Sequence, residues 1–302
     1  MEREFVFATP SYSTMSEPAT VVRNISDTAR WAAVFRANET QRLDALFRDP
    51  YAARLAGALG VDIANTLPEG NSYAWAWVAR TYLFDQFILR EIQQGVDMVV
   101  NLAAGLDARP YRMQLPSALQ WVEIDLPEIL TYKEGILAGE RPTCRLERIR
   151  LDLSDIEARK PVFAELAGRA RKIIVLTEGL LIYLEPSQVG AFAKDLAGHS
   201  QFQRWILDMH SPGLLRMMQR TTGKQLSQVG APFKFGPAEG PQFLEPYGWR
   251  AVDVQGLLKT AARFKRPPFG LRLLSLLPEK KGAQGSRPWS GVCLFERVDQ
   301  RQ

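Results

Sequence analysis

The segment from Val96 to Arg109 constrains the fold of this chain more than any other. It begins with a short apolar, β-branched run, turns through small residues at 103–105, and continues as a polar sequence compatible with a helix. This order is typical of a buried first strand that leads into a ligand-binding turn of an α/β sheet. We therefore expect a sheet around this strand, with the preceding residues forming a helical cover.

Strand-like and helix-like segments alternate after this first strand. Four more strands are predicted, followed by two closing strands, at residues 121–125, 144–151, 172–177, 202–207, 247–254 and 290–297. Strands that alternate with helices favour right-handed crossovers and a parallel sheet. The predicted fold class is thus α/β, with a mostly parallel sheet of seven strands and helices on both faces.

The 302 residues are expected to form effectively one structural unit. Residues 1–95 are predicted to be an N-terminal arm (1–25) and a helical cover or lid, whose first long helix runs over 28–47. Residues 96–302 are predicted to be the ligand-binding domain. Within it, the segment 223–243 is rich in Gly and Pro and is a candidate lid loop.

The composition limits which binding partners and which cellular compartment are expected for this chain. The formal net charge is +5, and the one dense basic stretch, at 259–272, is predicted to be a solvated face. No aromatic-interleaved basic motif, signal peptide or apolar run of ~20 residues occurs, so we expect neither a nucleic-acid nor a membrane partner. Cys144 and Cys293 are far apart and lack metal-ligand spacing. We therefore expect reduced cysteines, no metal site and a cytoplasmic protein.

An acidic residue stands at or just after the end of each of the first five predicted strands. In a parallel sheet these ends meet at one edge, where ligands bind. A single acid there is a common turn or cap residue, but five together favour a ligand with hydroxyls or positive charge. They are Asp107, Asp125, Asp152, Glu178 and Asp208.

Two cofactors are compatible with the first turn. Residues 103–108 are a degraded form of the G-x-G-x-x-G/A pattern, and Asp125 stands 20 residues after Gly105, as a ribose-binding acid does. Both features fit NAD, but Asp107 would repel a pyrophosphate at the following helix. S-adenosylmethionine has no phosphate, and Arg80 or Arg109 would pair with its carboxylate. We prefer S-adenosylmethionine, with an NAD-dependent oxidoreductase as the alternative.

Several further motifs occur in order along residues 25–210 and resemble the leucine carboxyl methyltransferase-like family of S-adenosylmethionine-dependent methyltransferases. This family includes protein phosphatase methyltransferases and O-methyltransferases of polyketide pathways. The resemblance implies a Rossmann-like class I methyltransferase fold, methyl transfer to an oxygen, and S-adenosylhomocysteine as product. The motifs are 101–112, 123–127 with Lys133, 152–153 and 178–184, preceded by 26–29, 36–37, 49–50 and 80–81 with Asp85.

The resemblance also implies roles for single residues. Arg80 would pair with the methionine carboxylate, and Glu178 would lie near the methionine ammonium. The turn that contains Ala103 and Gly105 would pass beside the methionine moiety, while the nucleoside would be held by Asp125 (ribose hydroxyls), Asp152 and Leu153 (adenine).

Ala103 departs from the family, which usually has glycine at this position. A Cβ there disfavours positive φ and limits how closely the backbone approaches a ligand. This departure keeps a third interpretation open, a cofactor-binding protein without activity.

The acceptor decides whether a catalytic residue is needed. A carboxylate acceptor is already nucleophilic, whereas a hydroxyl requires a base, for which His210 at the end of the fifth strand is the candidate. Tyr183 is a second candidate for the acceptor pocket. The sequence leaves open a small-molecule acceptor, such as a secondary metabolite, or the C-terminal carboxylate of a protein.

Overall fold

The computed structural model describes residues 27–66, 72–221, 223, 226–227, 230–279 and 285–298. The predicted N-terminal arm lies outside the described residues. So do residues 224, 225, 228 and 229 of the candidate lid loop.

Within the described part of the chain, seven strands form one sheet in the order β3-β2-β1-β4-β5-β7-β6. Strands β1 to β5 are parallel, and β7 runs antiparallel between β5 and β6. The predicted α/β fold, with a mostly parallel seven-stranded sheet, is confirmed. The strands are β1 (Met98–Leu102), β2 (Gln120–Asp125), β3 (Arg145–Arg150), β4 (Ile173–Thr177), β5 (Phe202–His210), β6 (Trp249–Gly256) and β7 (Ser290–Arg297).

Helices precede, connect and follow these strands. Among the described residues, the helices before β1 are α1 (Asp27–Thr40), α2 (Ala52–Thr66) and α3 (Ala74–Gln93). The later ones are α4 (Arg109–Arg112), α5 (Pro127–Ile136), α6 (Ile156–Arg169), α7 (Pro186–Ala197), α8 (Pro212–Arg220), α9 (Leu257–Arg263) and α10 (Phe269–Leu274), with 3₁₀ turns at Leu181–Tyr183 and Gly240–Tyr247. Among the described residues, no helix has the length and apolar character needed to cross a membrane.

Alternation along β1 explains why helices cover both faces of the sheet. Successive side chains of a strand point to opposite faces. Val100 packs into a core with Phe163 of α6 and other residues on one side. Val99 packs into a second core with Phe84 of α3 and Ala261 of α9 on the other side. The predicted helices on both faces are therefore confirmed.

The N-terminal helices extend over the carboxyl edge of the sheet. Trp31 and Phe35 of α1 share a buried cluster with Ile182, Leu215 and Phe233, which belong to segments that follow β4 and β5. Burying two aromatic side chains of α1 in this way stabilises its position by several kcal/mol, on the order of 2 kcal/mol for each ring. The cover is thus packed directly above the strand ends.

The structure corrects two predicted boundaries. Helix α1 ends at Thr40 rather than Phe47, because Thr40 Oγ1 accepts a hydrogen bond from the backbone N–H of Asp49 and closes a separate loop. Strand β5 continues to His210 rather than ending at Leu207, because β7 pairs with it as far as His210 and Ser290. Asp208 is consequently a strand residue.

Candidate functional site

All five acids predicted at the strand ends line one cavity of about 1440 Å³. The cavity lies along the carboxyl edge of β1 to β5 and beneath the helical cover. Arg80, the turn after β1, Leu153, Tyr183 and His210 also line it. The structure therefore brings together every site residue that the sequence predicted.

The turn after β1 has two residues in the left-handed region. The φ angle is +52° at Ala103 and +50° at Gly105. A Cβ at Gly105 would stand 3.2 Å from Cβ of Ala29, so glycine is needed there to let α1 approach. Ala103 carries a Cβ in the same conformation, at a cost of roughly 1–2 kcal/mol. The glycine-type turn is retained without its usual glycine.

Asp125 is fixed by two backbone donors. Its Oδ2 accepts from the N–H of Gly105 at 2.6 Å, and its Oδ1 accepts from the N–H of Leu126 at 2.8 Å. A carboxylate has about four acceptor positions, so each oxygen keeps capacity for a further donor. Burial raises the pKa of Asp125. The group is thus a preorganised acceptor for a pair of hydroxyls at the end of β2.

Two guanidinium groups hold the carboxylate of Glu178. Arg80 Nε donates to Oε1 at 3.1 Å, and Arg109 Nη1 donates to Oε2 at 2.8 Å. Arg80 Nη1 also donates to Asp208 at 3.2 Å, and its guanidinium lies 4.6 Å from the ring centroid of Trp77. The residues expected to bind opposite charges of the ligand therefore contact each other.

Gly179 provides the room for this arrangement. Its φ angle is +72°, and a Cβ there would stand 3.1 Å from Arg80 Nη1. Its backbone N–H donates to Asp208 Oδ1 at 2.6 Å, which orients that carboxylate toward Arg80. Asp208 was predicted only as a strand-end acid. Its role as a partner of Arg80 depends on tertiary contacts that the sequence does not reveal.

Arg109 is the weaker of the two candidates for the ligand's carboxylate. Its guanidinium binds Asp85 at 2.6 Å, Asp107 at 2.8 Å and Glu178. Its side chain is 3% exposed, against 14% for Arg80. Asp85, which sequence reasoning gave no role, fixes Arg109 in place. Arg80 is therefore the cation of this pair that a ligand reaches more easily.

Asp107 remains charged but is neutralised by its neighbours. Asn101 Nδ2 donates to it at 2.9 Å, and Arg109 donates through both its backbone N–H and Nη1. Burial raises its pKa, but the charges of Arg109, Lys133 and Arg112 outweigh burial and lower the pKa to about 2. The paired carboxylate therefore repels a pyrophosphate less than an unpaired one would, and Asp107 disfavours NAD less strongly than its position in the sequence indicates.

The end of the cavity that the resemblance assigns to the nucleoside lies after β3. Asp152 is exposed, and its Oδ1 accepts from the N–H of Ser154 at 2.8 Å. Leu153 is half-buried and packs against the core on the α6 side. A polar acceptor beside an apolar side chain is compatible with a purine that carries an exocyclic amine. The other oxygen of Asp152 accepts no hydrogen bond from a described residue.

The other end of the cavity holds Tyr183 and His210. The ring of Tyr183 lies 5.6 Å from that of Phe233, and its hydroxyl hydrogen-bonds with Thr28. Burial raises the pKa of Tyr183 and lowers the pKa of His210. At neutral pH the phenol is therefore protonated and the imidazole neutral. Tyr183 packs in a cluster of apolar side chains, and those of the cluster that also line the cavity are Trp31, Trp77, Ile182, Met218, Leu226 and Phe233.

This fold and this site define a Rossmann-like methyltransferase that uses S-adenosyl-L-methionine. The profile of the leucine carboxyl methyltransferase family matches residues 29–197, and the chain belongs to that family. The predicted resemblance and the preferred cofactor are thereby confirmed, and the oxidoreductase alternative is wrong.

Two relatives extend the comparison beyond the matched residues. A Frankia alni protein, named provisionally as an S-adenosyl-L-methionine-dependent methyltransferase, is 30% identical over 282 residues, covering 86% of this chain and 95% of its own. A Mycobacterium marinum protein with the same provisional name is 30% identical over 301 residues, covering 88% and 86%. Family likeness therefore extends beyond residue 197 into the C-terminal third.

Solved structures support the fold alone. A duf574 family protein from Streptomyces avermitilis matches with a TM-score of 0.56 and 11% identity, over 89% of this chain and 97% of that one. A protein from Thermobifida fusca, described provisionally as a methyltransferase, matches with a TM-score of 0.54 and 14% identity, over 95% and 100%.

The residues present fit S-adenosyl-L-methionine. Asp125 offers acceptors for the ribose hydroxyls, and Asp152 with Leu153 offers a surface for adenine. The carboxylates that line this edge suit a ligand with hydroxyls, an ammonium and a sulfonium.

Proposed function

We propose that this chain transfers a methyl group to a carboxyl or hydroxyl oxygen of a bulky, largely apolar small molecule. The observation that carries the proposal is the continuity of the cavity. About 1440 Å³ joins the acidic edge to a chamber lined by aromatic and aliphatic side chains. A chamber of this lining favours an apolar small molecule over the polar backbone of a protein C-terminus, because unpaired amides would be costly to bury there.

S-adenosyl-L-methionine, when bound, supplies an electrophilic methyl group attached to a sulfonium. The chain's contribution is to align the reactants and keep water out. Asp125 is held by Gly105 and Leu126, so it fixes the nucleoside in one orientation. The apolar chamber restricts the acceptor to a few orientations, and alignment of this kind contributes much of the rate enhancement in two-substrate reactions.

His210 is proposed to act only with a hydroxyl acceptor. Its neutral imidazole accepts the proton that a hydroxyl loses, whereas a carboxylate has no proton to give. Tyr183 stays protonated at neutral pH, so its hydroxyl is suited to orienting an acceptor oxygen rather than accepting its proton. A carboxyl acceptor would require neither group for proton transfer.

The cytoplasm is the proposed location. Cys144 and Cys293 are both buried and unbridged. Burial raises the pKa of Cys144 to about 11 and that of Cys293 further, so both thiols stay protonated. Unbridged thiols are typical of a reducing compartment.

The test uses the full chain with S-adenosyl-L-methionine labelled in its methyl group. Apolar phenols, alcohols and carboxylic acids are offered as acceptors, together with matched amines and thiols. We expect label in an ester or ether product. Label only in amine or thiol products, or higher affinity for NAD by calorimetry, would overturn the proposal.

A matched pair of variants connects activity to the site. Asp125→Asn removes one acceptor and the charge, and we expect cofactor affinity to fall about tenfold or more. Asp62→Asn makes the same chemical change at an exposed position of α2, away from the cavity, and should leave cofactor affinity unchanged.

A further inference from the structure

Residues 269–278, which comprise α10 and the turn after it, expose a concentration of large apolar side chains. The exposed fraction of the side chain is 73% for Phe269, 55% for Leu273, 53% for Leu274, 79% for Leu276 and 52% for Leu277. They are five of the eleven exposed large apolar side chains among the described residues. We refer to residues 269–278 as the leucine tip. Scattered exposed leucines are normal, but a contiguous group marks an interaction surface.

The leucine tip has a defined shape. Arg272 Nε donates to the carbonyl of Pro267 at 2.8 Å, and its Nη2 donates to that of Lys265 at 2.7 Å. These bonds hold the start of the tip against the segment before it. Helix α10 nevertheless has no buried residue. The apolar side chains are therefore presented outward by a structured element rather than folded into either core.

Positive charge accompanies the leucine tip. Residues 263–278 contain no acidic residue. Arg266 is neutralised by Glu39 and Asp44. Arg263 and Lys265 are exposed, and neither forms an ion pair with a described residue. The surface thus combines an apolar projection with uncompensated cations.

The leucine tip also forms part of the rim of the cavity. Leu271, Leu274, Leu277 and Pro278 line the cavity that holds the cofactor and acceptor sites. Leu274 and Leu277 are more than half exposed as well. These two side chains therefore contact both the outside and the cavity, so a ligand that enters along them would meet an apolar surface.

We propose that the leucine tip docks on the surface of an anionic lipid bilayer and admits the apolar acceptor from it. Apolar side chains that insert at the headgroup boundary, next to cations that attract anionic lipids, are the features of a peripheral membrane surface. A second copy of the chain fits less well, because facing tips would bring Arg263 and Lys265 of each copy together. The uptake route rests on the proposed function, whereas the docking does not.

Docking on a bilayer would give the basic stretch at 259–272 a binding role. The sequence predicted a solvated face there and no membrane partner, because no segment is long enough to span a bilayer. Peripheral docking requires no spanning segment. It requires an exposed apolar group beside cations, and that arrangement depends on which leucines the fold leaves outside.

The docking test is co-sedimentation of the full chain with vesicles. One set contains phosphatidylcholine only, and the other contains phosphatidylcholine mixed with phosphatidylglycerol. We expect binding to the anionic vesicles, weakened by raised salt. The double variant Phe269→Ser with Leu276→Ser removes two exposed side chains that do not line the cavity, and we expect its partition to fall about tenfold or more.

Two controls separate surface charge from the apolar contact. Leu43→Ser with Val252→Ser removes two exposed apolar side chains elsewhere and keeps full binding. Arg263→Gln reduces binding to anionic vesicles only. Failure of the unmodified chain to sediment with anionic vesicles would overturn the proposal, as would full binding by the double variant. Concentration-dependent self-association, abolished by the double variant without any vesicle binding, would show a second copy as the occupant and also overturn it.

Measurements of methyl transfer distinguish the uptake route from the docking itself. With a water-soluble acceptor the double variant keeps the rate of the unmodified chain, and with an acceptor dissolved in vesicles its rate falls. Equal rates from vesicles would overturn the uptake route. Vesicle binding without transfer to any oxygen would instead contradict the proposed function and leave the docking established.

Discussion

Arg80 Nε lies 3.1 Å from Oε1 of Glu178. The family resemblance assigns these two side chains to opposite charges of one amino-acid group, the methionine carboxylate and the methionine ammonium. The chain therefore contains an ion pair of its own where the ligand's zwitterion is expected. A zwitterionic ligand that inserts between these side chains would replace one ion pair with two. Its carboxylate would pair with Arg80 and its ammonium with Glu178, so neither side chain would be left unpaired.

The first prediction concerns Arg80. Arg80→Met should weaken binding of S-adenosylhomocysteine roughly tenfold to a hundredfold, because a hydrogen bond to a charged group contributes about 1.5–3 kcal/mol. Affinity for 5′-methylthioadenosine, which has no carboxylate, should change by less than about twofold. Calorimetry measures both. Equal weakening of the two ligands would mean that Arg80 only supports the fold, and Arg80→Lys, which keeps the charge, serves if the first variant is unstable.

The second prediction concerns the strained turn. Ala103→Gly should raise the free energy of unfolding by about 1 kcal/mol, because glycine adopts the left-handed conformation without a Cβ penalty. We also expect tighter binding of S-adenosyl-L-methionine, since the backbone can approach more closely. Urea denaturation and calorimetry measure the two effects.

Ala104→Gly is the matched control for this turn. Ala104 is buried, and its φ angle is not positive, so losing its methyl group should destabilise the protein. A destabilised Ala103→Gly variant would contradict the strain, and unchanged cofactor affinity would contradict the closer approach.

The third prediction concerns acid stability. The pKa of Asp107 is about 2 in the folded chain and 3.8 without the fold. A lowered pKa means that the ionised group stabilises the fold fully above the unfolded value, and that this stabilisation is lost as the pH falls from about 3.8 through 2. Asp107→Asn should therefore lower the free energy of unfolding by about 2 kcal/mol at pH 7, with a smaller difference from the unmodified chain at pH 3. A difference that is equal at both pH values, measured by urea denaturation, would contradict this linkage.

The fourth prediction concerns His210. His210→Ala should slow methylation of a hydroxyl acceptor by about a hundredfold, in the range that general-base catalysis contributes, and leave methylation of a carboxyl acceptor nearly unchanged. Because burial lowers the pKa of His210, the hydroxyl reaction should keep its rate until the pH falls below the usual range of histidine. His199→Ala, before the start of β5 and outside the cavity, is the control. An unchanged rate with the hydroxyl acceptor would remove His210 from the reaction.

The acids at the strand ends could be located from the sequence because their placement follows from topology. The carboxyl ends of parallel strands meet at one edge, so Asp125 and Asp152 could be assigned to a common site before any contact was known. The end of β5 could not be located in this way, because the strand continues past Leu207 through its pairing with β7, more than eighty residues later. The local pattern of apolar residues does not predict that pairing.

Contacts between side chains were less predictable than positions. Arg80 and Glu178 are 98 residues apart, and their pairing depends on how α3 is rotated over the sheet. The exposure of Leu273 and Leu276 was likewise hidden, because a leucine-rich segment normally predicts burial. Both features are set by tertiary packing, which one sequence does not specify.

The close approach of Ala29 to Gly105 connects the cover to the ligand. A Cβ at Gly105 would stand only 3.2 Å from Cβ of Ala29, so α1 packs directly on the turn that the cofactor would contact. A ligand that binds only when this turn is formed also stabilises the seated helix, by mass action. Cofactor binding would therefore stabilise α1, the most N-terminal described element. This helix would become harder to unfold whenever the cofactor is abundant.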